Sequence, residues 1–379
     1  MKGPYHANPD KTVSFVGNKI FKDIADVGAG KFPADEACKR VKSLKNDPAW
    51  GAIARINHRI NISANNYFDA IGALFTALPL TTRMISSPGA VYGKEAISYT
   101  TDTCPIKIDW FDLPHKAFLS ESSQIYLEMA LMQEGVNHVY SIYNSFRKEP
   151  GDSTHLSEFH HIEYEGKINQ EENEKAAWLL VQNMISAILG NNLKDLSYFL
   201  SRQDIAALEE IAAGKGKLEK ISFKEALNML YQDTGDTRYN KFTLENCFGA
   251  WEEIRLTEIV GSVVAIKEFP LLEVPFYHAA VKGKTPKVAD NADFIWPGYR
   301  EFIGSGQRVK SKAELEEKAR IFQLPKDDYQ PYIQTRELPG YAPTSRFGLG
   351  WERFLQGLLK MPYIWSACQF PRVDTTLKP

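Results

Sequence analysis

The chain has 379 residues, 44% apolar and 24% charged, with 45 Lys and Arg against 47 Asp and Glu. That mixture excludes a disordered chain, a coiled coil and a collagen-like repeat. A formal net charge of −2 gives no global attraction to nucleic acid or to an anionic membrane surface.

Residues 1–22 are polar and hold no apolar core before a cleavage site, so no secretory signal is expected. The longest apolar runs, 70–80 and 259–266, are about half of the ~20 residues a bilayer span requires. Residues 1–48, broken by Pro4, Pro9, Pro33 and Pro48, read as a helical or irregular arm. From Pro48 to about Leu78 apolar residues recur at helical spacing, which predicts one long amphipathic helix stopped by Pro79. Short strands follow: KAFLSES, VYSIYNSFRKE and SEFHHIEYE, each rich in β-branched or aromatic residues. Residues 170–232 switch to a helical period, and Ser222 with Glu225 offers a capping box. Strand-like runs return at GSVVAIKEF and PFYHAAV, before a charged helix at 311–322. The end is a strand–glycine–helix unit, SRFGLGWERFLQGLL, then PYIWSACQFPR. The fold class is therefore α+β: an antiparallel sheet flanked by helices, with a helical insertion at about 170–232. No βαβ alternation or GxGxxG turn supports a doubly wound nucleotide fold. Cys38, Cys104, Cys247 and Cys368 form no clustered pair, so zinc and thiol redox work are not expected and a cytoplasmic protein with reduced thiols is.

Three clusters can carry chemistry. Arg147 and Glu149 end one strand, and His155 and Phe159 lie across a loop on the returning one. An arginine fork suits phosphate oxygens, and a phenyl face can stack a base. Gly348-Leu349-Gly350-Trp351-Glu352-Arg353 places bare backbone and a second arginine at a helix start. Asp293 and Glu301 offer the one or two carboxylates that, beside phosphates, hold Mg²⁺. Together these suit ATP-dependent carboxylate activation, in which arginines and Mg²⁺ absorb charge developing at the α-phosphate. His160 and His161 point to opposite faces of a strand, so one can line a pocket beside Phe159; His58, His115, His138 and His278 are isolated.

These motifs resemble the class II aminoacyl-tRNA synthetases of the aspartyl/asparaginyl branch. FRKEPGDSTHLSEFHHIEYE is similar to motif 2 and FGLGWERFLQGLL to motif 3; FLSESSQIYLE, EFIGSGQR and the closing QFPR match further hallmarks. The resemblance runs from about Ala49 to Arg372 and implies a catalytic domain at 49–379 behind an arm at 1–48. It implies that Arg147 binds the α-phosphate and Glu149 contacts adenine or its loop, near His155. Phe159 and Arg353 sandwich adenine above Gly350, and Glu301 with Asp293 holds Mg²⁺. Arg147, Arg353 and Glu301 are the catalytic set. Ser122, Gln124, Glu128 and Glu163 surround the amino acid, and Arg308 reads the end of its side chain. A homodimer is also implied. Leu127 replaces a lysine of aspartyl enzymes, Glu128 follows it, and Glu163 stands where those enzymes tend to carry Asp, so the pocket looks asparaginyl-like.

The departures point further. Residues 1–48 cannot close an anticodon-binding barrel of about five strands. The motif 2 tip is short, acidic to neutral, and lacks the arginine expected before His155. Pro88-Gly89 stands in place of a glutamate-glycine pair, and Arg346 replaces the first glycine of motif 3. The resulting expectation is an AMP-forming ligase that uses ATP and Mg²⁺ to adenylate an Asp- or Asn-like amino acid. The acyl group would pass to ammonia or another small amine rather than tRNA, as in an asparagine synthetase. The alternatives are a truncated synthetase charging tRNA and a non-catalytic sensor of amino acid or nucleotide.

Overall fold

The computed structural model describes residues 5–15, 32, 34–87, 104–149, 151–245 and 247–377. Within the expected arm, β1 (Tyr5–Ala7) and β2 (Val13–Phe15) form an antiparallel hairpin, and α1 (Ala34–Asn46) is helical. Tyr5 packs edge-on against Tyr299, so the hairpin belongs to the main core. Helix α2 (Pro48–Ala70) starts where the sequence requires: Asp47 accepts a hydrogen bond from Ala49 N, and Pro48 needs no donor partner at the first position. It ends eight residues before Leu78. Gly72, at φ +72°, turns the chain into β3 (Leu74–Phe75), which pairs parallel to residues 139–140.

After β4 (Thr81–Thr82), β5 (Lys107–Ile108) and β6 (Ala117–Leu119), a small sheet of their own, comes α3 (Gln124–Ala130). The long hairpin of β7 (His138–Phe146) and β8 (Glu158–Gly166) then forms the centre of the molecule. Helices α4 (Gln170–Leu196) and α5 (Arg202–Ala212) follow, then β9 (Leu218–Ser222) and α6 (Phe223–Thr234). The Ser222–Glu225 capping box is present. Strand β9 lies between the helical stretches and joins the sheet edge parallel to β10 (Val263–Lys267), which follows α7 (Ala250–Val260). The remaining elements are β11 (Asn291–Ile295), β12 (Glu301–Gln307), α8 (Lys312–Ile321), α9 (Lys326–Gln334), β13 (Ser345–Gly350) and α10 (Trp351–Leu358).

The main sheet has the order β3-β7-β8-β13-β12-β11-β10-β9 and is antiparallel except at its two edges. The segment PFYHAAV makes only isolated bridges, at His278 and Ala280. One sheet face carries Ile162, Tyr164, Phe347, Leu349 and Ile303, all buried, against α2 and α4. Phe68 of α2 stacks 4.4 Å from Tyr140, and Tyr164 stacks 5.2 Å from Phe347. Removing a fully buried ring such as Phe68 typically costs about 3–5 kcal/mol. This apolar face fixes the register, and the register decides which residues share the opposite face.

Candidate active site

Directly paired residues share a sheet face, so the register is also a map of the site. Glu163 pairs with Gly348, Gly348 with Gly304, and Gly304 with Asp293. That row crosses four strands and puts two carboxylates at the ends of a bare glycine floor. The adjoining row reads Glu165, Arg346, Gly306, Asn291. Above them lies a cavity of about 480 Å³ lined by Ser122, Gln124, Arg147, Glu149, His155, Glu163, Asp293, Glu301, Gly348 and Arg353, among others. A side chamber of about 90 Å³ shares Arg147, His155, Glu301 and Arg353 with it and adds Phe159 and Gly350. All expected nucleotide residues therefore border one connected space.

Arg147, just beyond the end of β7, lies with its guanidinium 5.2 Å from the centre of the Phe159 ring and 3.9 Å from Glu149. Its Nε is buried and has no hydrogen-bond partner. Arg353, in the first turn of α10, donates to the carbonyl of Glu301 at 2.8 Å. Burial and the neighbouring Arg300 both press against its charge, as in a cation set to meet an anion. His155 is held by Asp152 at 2.9 Å, and burial pushes its pKa down. His161 faces inward beside Phe159, its pKa pushed down to about 4 chiefly by burial, whereas His160 turns outward to Glu352 at 2.6 Å. The division of the two histidines between faces follows the strand alternation.

Asp293 and Glu301 fit a divalent cation. Burial first, then the charges of Glu301 and Glu253, hold the Asp293 carboxyl well above the usual range. A cation between those acids relieves that repulsion. The floor is open there because a Cβ on Gly304 would stand 2.8 Å from Glu301 Oε1. Among the described residues no three His, Cys, Asp or Glu are grouped to hold a metal by themselves, so phosphate oxygens would have to complete the Mg²⁺ shell.

Ser122, Gln124 and Glu163, the residues expected to meet the amino acid, line the same cavity. Ser122 Oγ donates to Glu163 Oε1 at 2.9 Å, and Gln124 Nε2 donates to the Tyr277 hydroxyl at 2.6 Å. Burial opposes charge on Glu163, but Arg346 and the hydrogen bonds of Tyr143 and Ser122 prevail and hold its carboxyl below the usual value. Two expected residues do not line the cavity. Arg308, 1% exposed, is clamped by Glu165 through both oxygens at 2.7 and 3.0 Å and donates to Gln124 Oε1 at 3.2 Å. Glu128 pairs with Arg336 at 2.5 Å and lies 3.5 Å from Arg308. Both sit behind the wall formed by Tyr277, whose ring centre is 4.4 Å from the Arg308 guanidinium. The Pro88-Gly89 departure lies outside the described residues.

Residues 37–374 match the family of tRNA synthetases class II (D, K and N). The chain belongs to that family. It is 29% identical over 329 residues to an asparagine–tRNA ligase of Desulforamulus reducens, covering 86% of this chain and 70% of that protein. A Thermus thermophilus asparagine–tRNA ligase is 29% identical over 334 residues, covering 86% and 71%. In fold the chain resembles the asparaginyl-tRNA synthetase of Pyrococcus horikoshii solved with asparaginyl-adenylate: TM-score 0.78, 27% identity, 94% of this chain and 78% of that one. The class II synthetase described here is thus an ATP-dependent amino-acid ligase. No helix among its described residues is long and apolar enough to cross a membrane.

Several lining residues of this synthetase carried no signal in the sequence. Arg300 and Glu253 form an ion pair at 3.0 Å across 47 positions, and both line the cavity. His278 and Tyr277 come from a segment with strand composition that forms no strand. Only Arg346 was detectable beforehand, as a charged residue where motif 3 has glycine.

Proposed function

We propose that the chain adenylates an asparagine-like amino acid and hands the acyl group to ammonia or another small amine. The observation that supports the first step most directly is the convergence of Arg147 and Arg353 on one cavity with Asp293 and Glu301. The α-carboxylate oxygen attacks the α-phosphorus, the bond from α-phosphorus to the bridging oxygen breaks, and pyrophosphate leaves. Arg147 meets the α-phosphate oxygens, while Phe159 and Arg353 hold the adenine between them. Mg²⁺ held by Glu301 and Asp293 would offset charge on the departing phosphates. Gln124 and Glu163 orient the amino acid. In the second step the amine nitrogen attacks the acyl carbon, the acyl–oxygen bond to AMP breaks, and the nitrogen loses a proton.

The acceptor reading is supported by the loop between β7 and β8. Its tip is tied down by the C-terminal segment: Ser157 N donates to Arg372 O, Ile364 N to Ser153 O, and Gly151 N to Asp374. Between Lys148 and Glu158 it carries no lysine or arginine to meet a nucleic-acid backbone. The second reading, transfer to tRNA, is favoured by the names of the relatives, which are asparagine–tRNA ligases.

Amino-acid-dependent exchange of labelled pyrophosphate into ATP tests the first step, and failure with every Asp- or Asn-like acid refutes it. Following the acyl group in the presence of ammonia, small amines or a tRNA transcript tests the second. Acylation of the transcript alone would overturn the small-amine reading.

A further inference from the structure

We propose that the cavity holds a separate subsite for the acyl acceptor, walled by Leu244, Phe248 and Val274 with the Glu273 carboxylate among them. It takes a primary amine with an apolar alkyl or aryl body. The subsite rests on the adenylation reading and narrows its second step, from any small amine to one class.

These residues line the same cavity as Arg147, Asp293 and Glu301 but belong to none of the expected nucleotide, metal or amino-acid contacts. They come from two segments that meet. Glu273 Oε2 accepts from Leu244 N at 2.6 Å and from the Thr243 hydroxyl at 2.9 Å, which ties the two segments together. Phe248 rests on Phe223 and Phe269, with ring centres 5.2 and 6.3 Å away. Phe269 N donates to Asn291 Oδ1 at 3.2 Å. Asn291 pairs with Gly306 in the adjoining row of the sheet face, two positions along β11 from Asp293. The wall is therefore continuous with the glycine floor.

Its composition says what it can hold. Leu244 and Phe248 are half-buried in a cavity whose other lining is largely polar. Each methylene of a ligand covered by such apolar surface is worth about fourfold in affinity. Residues 243–249 and 269–275 contain no lysine or arginine. The wall thus has no cation for a phosphate, whether of departing pyrophosphate or of a tRNA end. It has a carboxylate instead. Burial pushes the Glu273 carboxyl above its usual range, against the bonds from Leu244 N and Thr243, and an ammonium beside it relieves that cost. Alkyl amines are ammonium ions near pH 7, as the lysine side chain is. Ammonia alone would meet the carboxylate and leave the apolar wall unused, whereas an amine with a hydrocarbon body answers both.

The test follows AMP release and the mass of the acylated product with the full-length protein, ATP and the amino acid that supports pyrophosphate exchange. The acceptors are ammonia, methylamine, ethanolamine, isobutylamine, benzylamine and a tRNA transcript. The KM for isobutylamine is expected to lie about 10-fold or more below those for methylamine and ethanolamine. Phe248→Ala should raise the KM for isobutylamine and benzylamine about 10-fold and bring them toward methylamine. Glu273→Gln should raise the KM of every amine about 10-fold, since it removes the charge and keeps the shape. Exchange, which needs no acceptor, is measured on each variant to tell loss of the fold from loss of the subsite, and Glu273→Gln decides the matter if Phe248→Ala does not fold. Equal KM values across the amines, unchanged KM values in Glu273→Gln, or acylation of the transcript alone overturns the subsite, while exchange keeps the adenylation reading standing. Calorimetry with benzylamine separates the converse case. Binding that weakens about 10-fold in Glu273→Gln, with no exchange for any Asp- or Asn-like acid, removes the adenylation reading and keeps the amine site.

Discussion

Replacing Arg308 with leucine separates a structural clamp from a substrate contact. The guanidinium is fully enclosed, and Glu165 spends both oxygens on it, keeping in addition only a bond from Thr344 Oγ1 at 2.8 Å. Glu128 retains Arg336, so the variant leaves Glu165 as the uncompensated buried charge. Breaking such a pair from one side costs about 3–5 kcal/mol. For 379 residues, an unfolding entropy of about 2.1 cal/mol/K per residue sums to about 0.8 kcal/mol/K, so Tm should fall by about 4–6 °C. The loss should also depend on pH. Burial already raises the Glu165 carboxyl above the usual value despite Arg308, and without the arginine its folded pKa rises further, so the folded state binds the extra proton and stability falls more steeply as pH rises between the unfolded and folded values. The variant should thus be closest to wild type near pH 5 and furthest from it near pH 8. Removing both partners, Arg308→Leu with Glu165→Leu, should recover most of the loss. Urea and thermal unfolding at both pH values measure all three effects. A single variant within about 1 kcal/mol of wild type, or a double variant no better than the single, would refute this account and return Arg308 to a substrate-facing role.

Two further outcomes follow from the phosphate half of the cavity. Asp293→Asn removes a carboxyl whose pKa is raised by burial and by Glu301 and Glu253; because that raised value costs stability above the unfolded pKa, the variant should be more stable than wild type at pH 8 and lose the advantage near pH 4, while exchange falls about a hundredfold. Calorimetric scans at the two pH values, beside exchange assays, check both signs. Phe159→Ala removes a stacking face worth about 1–3 kcal/mol, so the KM for ATP should rise about 5- to 100-fold with the KM for the amino acid unchanged.

Much of the architecture was legible because it rests on local periodicity. The β7 and β8 segments are nine residues each and rich in β-branched or aromatic side chains, and α2 carries both a cap and an initial proline. What was missed is short or set by distant contacts. Strands β1 and β2 have three residues each and β3 has two, too few for a period to show. Strand β9 joins the sheet only because β10, more than forty positions later, offers a parallel edge. The expected helix ran on to about Leu78 because apolar spacing continues up to Pro79, whereas the left-handed conformation of Gly72 ends it earlier.

The site divides along the same physical line. Arg147, Phe159 and Arg353 were visible because each lies within or just beyond one supersecondary unit, where spacing fixes direction. Arg308 and Arg346 show the limit of that reasoning. Both are arginines near the end of a central strand, and nothing in their neighbours along the chain says which faces the ligand. The difference is made by partners far away: Glu165, buried on β8, captures Arg308, whereas Arg346, directly opposite that same Glu165 in the ladder, leans over two glycines toward Glu163. One acid can clamp only one of the two guanidinium groups through both oxygens. Each keeps one buried nitrogen without a partner, Nη1 of Arg308 and Nε of Arg346, so what separates them is position: Arg346, which replaces a glycine of motif 3, lines the cavity, and Arg308 lies behind Tyr277.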